Sequence, residues 1–299
     1  MSIPSIISSV GKAFRVLELI AESKSGCTLT ELVRKLNISM GAAQRISYTL
    51  IALQYLYKEP RTKALHLAPK IFLFGFSFLS RSEIREIALP YMRRLNENLD
   101  EIVNLAFMIS DEEVVYIERV DKTSGVKLTA NLRVGSRRPI HANAIGKVIL
   151  AFLSETDQRR VLDYLYSAKY PGKTYCSKNE FVRELRNIRR LGYSFSKSEL
   201  FHDILALAVP ILDHHSQPVA GINIVVPRLT PADEIKRKYI PQLIETGKNI
   251  SWALGNNQEN DFFKQEKKAS LQYQMENRLW RGNLRISPRL KGRLDERRI

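Results

Sequence analysis

Cysteine is nearly missing from these 299 residues: Cys27 and Cys176 are the only two, far apart and in no CxxC pair. That excludes a disulfide framework and the paired thiolates of a zinc ribbon, and it fits a reducing compartment. Long apolar runs are missing too. The stretch Ile71 to Leu79 falls short of the ~18–20 residues that a spanning helix needs, so no membrane partner is expected. The opening MSIPSIISSV lacks the charged start and long apolar core of a secretory signal. The expected location is the cytoplasm.

Patterns that carry chemistry are scarce as well. Gly146-Lys147 lacks the other glycine and the Ser/Thr of a phosphate-binding loop. No Ser-His-Asp or Cys-His arrangement stands out. His202-Asp203 and Asp213-His214-His215 bring metal-capable side chains together, but Asp213 to Ser216 reads more simply as a polar turn between strands. No catalytic residue, metal site or cofactor is expected. Acid is the charge in short supply: 31 Asp and Glu face 47 Lys and Arg, giving a formal net charge of +16 and a pI near 9.8. A field of that sign attracts polyanions and speeds their encounter, although it says nothing about fold.

What is present suffices for a packed core: 44% of the residues are hydrophobic, and the length allows two domains of ~100–200 residues. Val10, Phe14, Leu17 and Ile20 recur at helical spacing, with Ser8 or Ser9 as cap. Thr28 and Glu31 form a capping box for a second helix with Leu29, Leu32, Val33 and Leu36 on its apolar face. After Asn37-Ile38, a third helix spans about Ser39 to Leu53, with Ala43, Ile46, Leu50 and Leu53 turned inward. Strand-like runs at Tyr55–Lys58 and Ala64–Leu67 flank a turn, Glu59 to Lys63, that is basic at its tip.

Residues 70–98 read as mostly helical, with Ile84, Ile87, Ala88, Tyr91 and Leu95 in a stripe and Pro90 as a kink. Strands follow at Val103–Ile109, Val114–Val120 and Lys127–Leu132. Helices fit Ala142–Phe152, Glu155–Tyr166 and Lys178–Leu191, strands fit Ser194–Lys197, Ile204–Val209 and Val219–Val225, and a last helix fits Pro231–Leu254. Strands and helices mix without strict alternation, which predicts an α+β chain. Four segments result: a winged helix-turn-helix over residues 1–70, a helical linker over 71–98, an α/β domain over 99–255, and a basic tail over 256–299.

Three helices followed by a two-stranded wing make the winged helix-turn-helix, in which the second helix braces the third in the major groove of double-stranded DNA. The outward residues of the third helix are read as Ser39, Met40, Gly41, Gln44, Arg45, Ser47 and Tyr48. Gln44 suits adenine N6 and N7. Arg45 suits either guanine O6 and N7 or a phosphate. The amides at Ser39 to Gly41 favour phosphate at a helix N-terminus, and Arg61 and Lys63 at the wing tip reach phosphates or the minor groove. The competing reading is a ligand-binding module or enzyme whose winged segment serves only dimerisation.

The chain resembles an IclR-type transcriptional regulator. The blocks that carry the likeness are SSVGKAFRVLELIAES, CTLTELVRKLNISMGAAQRISYTL, YLYKEPRTKALHLAPKI, HANAIGKVILA, IRRLGYSFSKSE and ILALAVPILDHHSQPVAGINIVVP, across roughly residues 8–255. The resemblance implies a GAF-like effector domain for a small organic effector, often a carboxylic acid. It also implies homodimers or tetramers, and control of nearby metabolic genes, with repression as the expected sign. Carried over by position, Ile145, Ser196, Ala206, Asn223 and Val225 should line the effector pocket, with Ser196 and Asn223 either binding ligand or satisfying local backbone. The chain departs from the family pattern in three places. Gly41-Ala42 stands where Ser-Thr is common. The residues around His66, Leu67 and Ala68 replace a Tyr-x-Leu-Gly. Asp203 stands where Gly is frequent, and its charge would repel an anionic ligand.

Overall fold

The computed structural model describes residues 7–23, 25–80, 83–121, 132–167, 170, 176–197 and 204–256, with the backbone alone at 76, 78–80 and 197. The expected strand at Lys127–Leu132, the His202-Asp203 pair and the tail beyond residue 256 lie outside these, save Leu132 itself. The chain divides into two compact units, Met1–Ser82 and Glu83–Ile299.

In the first unit, α1 (Ser8–Glu22), α2 (Leu29–Leu36) and α3 (Met40–Ala52) precede a two-stranded antiparallel sheet of β1 (Leu56–Lys58) and β2 (Leu65–Leu67). The capping box is present: Glu31 N donates to Thr28 Oγ1 at 3.3 Å, and Thr28 N donates to Glu31 Oε2 at 2.7 Å. Asn37 ends α2 in the left-handed region, where Asn is tolerated. Val16, Ile20, Cys27, Leu32, Ala43, Leu50, Leu56 and Leu65 make the core. Gly26 is required where it stands: its φ is +75°, and a Cβ there would lie 2.7 Å from the Leu65 carbonyl oxygen.

Four expectations in this unit are corrected. The buried side of α1 is Val16 and Ile20, while Val10 and Phe14 are exposed. The residue preceding α1 is Ile7, with no side-chain cap. On α3, Leu53 is half exposed and Ser47 is buried, because the inward arc of Ala43, Ser47 and Leu50 ends before the helix terminus. Beyond the wing, a 3-10 turn at Pro69–Ile71 leads into α4 (Phe72–Ser80).

The second unit opens with α5 (Glu83–Leu99), in which Pro90 sits inside a continuous helix and Ala88, Met92, Leu95 and Leu99 are buried. Its sheet comprises β3 (Ile102–Met108), β4 (Glu113–Val120), β5 (Arg137–Pro139), β6 (Ser194–Lys197), β7 (Ile204–Leu212) and β8 (Pro218–Pro227). The order is β5-β4-β3-β8-β7-β6 and every pairing is antiparallel. On one face lies α6 (Ala144–Phe152), buried along its whole length, with α7 (Glu155–Leu165) and α8 (Lys178–Leu191) against it. On the other face lie α5 and α10 (Ile240–Ala253), the latter entered through the short α9 (Ala232–Glu234) and a π-helical stretch, Ile235–Tyr239. Strand alternation separates the two layers: Ala208 joins the α6 side, whereas a Cβ on Gly247 of α10 would meet Val209 at 2.6 Å. This is the α+β, GAF-like arrangement expected for the domain.

Candidate nucleic-acid interface and effector cavity

Ser39 caps α3, its hydroxyl accepting from Ala42 N at 3.2 Å. The cap fixes the helix start and leaves the amides of Met40 and Gly41 at its positive end. Met40, Gln44, Arg45 and Tyr48 are exposed, and Gly41 is half-buried. A Cβ at Gly41 would lie 3.6 Å from Arg45 Nη1. Arg45 therefore leans back over the first turn, the direction that helical side chains favour. Its guanidinium thus lies over the N-terminal turn of α3.

At the wing tip, Glu59 N donates to the Ala64 carbonyl and Lys63 N to the Glu59 carbonyl, closing the turn; Thr62 Oγ1 donates to the Glu59 carboxylate. Lys63 adopts a positive φ of 58°, and Arg61 and Lys63 are both exposed. The ring of His66 stacks on Tyr57 with centroids 5.2 Å apart, so the residue occupying the departure at position 66 stiffens the wing. Lys58, exposed on β1 beside them, escaped the sequence reading.

In the second unit, strand register gathers residues far apart in sequence. Ser196 pairs with Ala206 and Ala206 with Val225, a row across β6, β7 and β8, and Asn223 lies two residues along β8 on the same face. These four line a cavity of about 50 Å³ together with Tyr116, Leu132, Arg138, Ala142, Asn143, Ala144 and Ile204. Ile145, the fifth residue expected there, is not in the wall. It is fully buried in the core and points at Gly221, whose Cβ would meet Ile145 Cγ2 at 2.8 Å. Its neighbours Asn143 and Ala144 take that place.

Of the polar wall groups, Asn143 is engaged with the backbone: its Oδ1 accepts from Gly146 N at 2.8 Å, and its Nδ2 donates to the Pro139 carbonyl. Asn223 Oδ1 accepts from Asn104 Nδ2 at 2.8 Å. Burial pushes the Tyr116 hydroxyl up to about 12 against the opposing pull of Arg138. Sequence reading missed Tyr116, Arg138 and Asn143. Only Asn143 carried a local signal, an Asn immediately before an apolar helix.

The Asp213–Ser216 segment is a turn. Asp213 Oδ1 accepts from His215 N and Gln217 N, both at 2.9 Å, and Asn256 Nδ2 donates to the Asp213 carbonyl. Among the described residues, no three His, Cys, Asp or Glu side chains cluster as metal ligands, and no helix is long and apolar enough to cross a membrane.

Two family models match the chain: the IclR helix-turn-helix domain over residues 9–60, and the C-terminal region of the bacterial transcriptional regulator IclR over residues 76–252. HTH-type transcriptional regulator BhcR of Paracoccus denitrificans is 29% identical over 248 residues, covering 83% of this chain and 88% of the relative. Transcriptional repressor IclR of Escherichia coli is 28% identical over 250 residues, 83% of this chain and 90% of that one. Among solved structures, an IclR homologue from Microbacterium hydrocarbonoxydans, complexed with 4-hydroxybenzoate, superposes with a TM-score of 0.64 at 23% identity, over 82% of this chain and 98% of that chain.

Proposed function

Because the chain belongs to the IclR family of transcriptional regulators, we propose that it binds an operator in double-stranded DNA and regulates nearby metabolic genes, with repression as its sign. The carrying observation is α3, braced by the capped α2 and presenting Gln44, Arg45 and Tyr48 outward ahead of a basic wing. Gln44 reads a base, and Arg45 reads a base or holds a phosphate. The start of α3, Ser39 to Gly41, takes a phosphate, and Arg61 and Lys63 engage the backbone or the minor groove. Residues 1–70 are the DNA-binding domain, 71–98 the linker, 99–255 the effector domain and 256–299 a basic extension. The site of action is the cytoplasm, and no reaction is assigned to the chain.

We further infer that a small organic effector modulates DNA affinity from the cavity bounded by Ser196, Ala206, Asn223 and Val225. The 4-hydroxybenzoate held by a protein of the same fold supports a ligand of this kind. A palindromic operator calls for a two-fold protein. Val10 and Phe14 on α1, with Leu73 and Phe74 on α4, are exposed apolar side chains suited to cover one another in a homodimer, which can pair into a tetramer.

A gel shift with the gene's own upstream region tests the DNA reading. Sequence-selective retardation is expected, and absence of binding to every genomic fragment at low salt would sink it.

A further inference from the structure

Directly opposite the buried arc of α3, formed by Ala43, Ser47 and Leu50, stand Gly41, Arg45, Tyr48 and Ala52, as a turn of 3.6 residues requires. Gln44 and Thr49 flank them. Gly41 and Ala52 carry little or no side chain, so the helix backbone can approach a groove closely at both ends of this face. Arg45 leans back toward Gly41, and Thr49 Oγ1 donates to the Arg45 carbonyl at 2.8 Å. Gly41-Ala42, where Ser-Thr is common in the family, brings no hydroxyl. What projects from the middle of the face is the ring of Tyr48, 76% exposed against 42% for Met40.

An aromatic ring at the centre of a reading face asks for an apolar partner, because covering it removes apolar surface from water. The edges of the bases in the major groove offer one such group, the C5-methyl of thymine. Gln44 stands four residues before Tyr48, a rise of roughly 6 Å along the helix, which is close to two base-pair steps of ~3.4 Å. We propose that Tyr48 reads a thymine methyl in the operator, within about two base pairs of the adenine that suits Gln44. The ring does this by contact, and its hydroxyl is not needed. The inference rests on the DNA reading given above and adds the base chemistry that α3 selects.

The test uses the full chain and needs no knowledge of the operator sequence. The gene's own upstream region is amplified once with dTTP and once with dUTP, so the second duplex differs only in lacking every thymine methyl. Both are titrated by fluorescence anisotropy at fixed salt, beside random duplexes of each kind. Wild type should bind the uracil duplex more weakly, by a factor of about four for each methyl the ring covers. Tyr48→Ala should bind the thymine duplex more weakly and lose most of that dependence on the methyls. Tyr48→Phe should keep it. Both variants should keep the wild-type circular dichroism spectrum. Uracil also alters the shape and stiffness of a duplex, but that effect is common to wild type and Tyr48→Ala and cancels in their comparison.

Equal affinity of wild type for the thymine and uracil duplexes would overturn the proposal, and so would a methyl dependence that persists undiminished in Tyr48→Ala. A Tyr48→Phe variant that falls as far as Tyr48→Ala on the thymine duplex would overturn it too, by giving the work to the hydroxyl. Each of these outcomes leaves the DNA reading standing while the thymine duplex is bound in preference to random sequence. Failure of wild type to bind either upstream duplex at low salt is a different result, and it sinks that reading together with the inference built on it.

Discussion

Arg45 on α3 and Arg61 at the wing tip stand on different elements of the proposed DNA-binding surface, and their loss should be felt differently. Arg45 reaches back over the N-terminal turn of α3, so it can read guanine or hold a phosphate. If it reads a base, Arg45→Ala costs roughly 1–3 kcal/mol on the cognate operator and relaxes selectivity at one position. Arg61→Ala, at the exposed wing tip, should weaken all sequences alike and lower the salt slope. Titrating both variants against the operator and a scrambled duplex separates the two; unchanged affinity in the double variant would return the winged segment to a dimerisation role. In the other unit, Ala206 occupies the centre of the Ser196–Ala206–Val225 row. Ala206→Leu should fill the small cavity and abolish the effector response while operator binding persists. An effector response of full size in that variant, read by fluorescence anisotropy, would place the ligand elsewhere.

Element identity is legible wherever a local rule acts alone, and the capped helices show why. Thr28 and Glu31 announce α2, and Ser177 with Glu180 form the same reciprocal box at the start of α8. Both glutamates titrate below the ordinary carboxylate range because each accepts hydrogen bonds at its cap, Glu31 chiefly from the Thr28 backbone and Glu180 chiefly from the Ser177 hydroxyl. A depressed folded-state pKa contributes stability above the unfolded value, about 4.3, and loses it as pH falls through the folded one. Thr28→Ala should therefore cost about 1 kcal/mol near neutrality, and the gap between variant and wild type should narrow toward pH 3. Thermal melts at the two pH values check this, and a gap that widens in acid would rule it out. What local rules miss is set by tertiary partners. Val10 and Phe14 belong to the periodic stripe of α1, yet the side facing the core is Val16 and Ile20. Periodicity gives a helix its apolar residues and leaves open which of them a neighbour covers. Ile145 lies one residue too far along α6 to reach the cavity, and Arg138 and Tyr116 join it only through pairing of β5 with β4 and of β4 with β3, a convergence that no spacing in the sequence encodes.

At the scale of the whole molecule the question is how the +16 charge is used. The helix-turn-helix supplies a handful of basic side chains, and the matched C-terminal region ends at residue 252. Beyond it the sequence carries Arg278, Arg281, Arg285, Arg289, Lys291, Arg293, Arg297 and Arg298. Such a segment, tethered to a DNA-binding protein, meets phosphates at high local concentration whatever the base sequence. Each phosphate neutralised adds about 0.9 to the magnitude of the slope of log K against log salt. Removal of residues 257–299 should thus flatten the slope by about that much for every phosphate the tail had neutralised. It should lower affinity for operator and random duplex by the same factor, leaving their ratio intact. Salt titrations of full-length and truncated chains on both duplexes measure this directly. An unchanged slope would mean that the tail neutralises no phosphate. A changed ratio would give it a part in reading sequence, which the chemistry of arginine on phosphate does not supply.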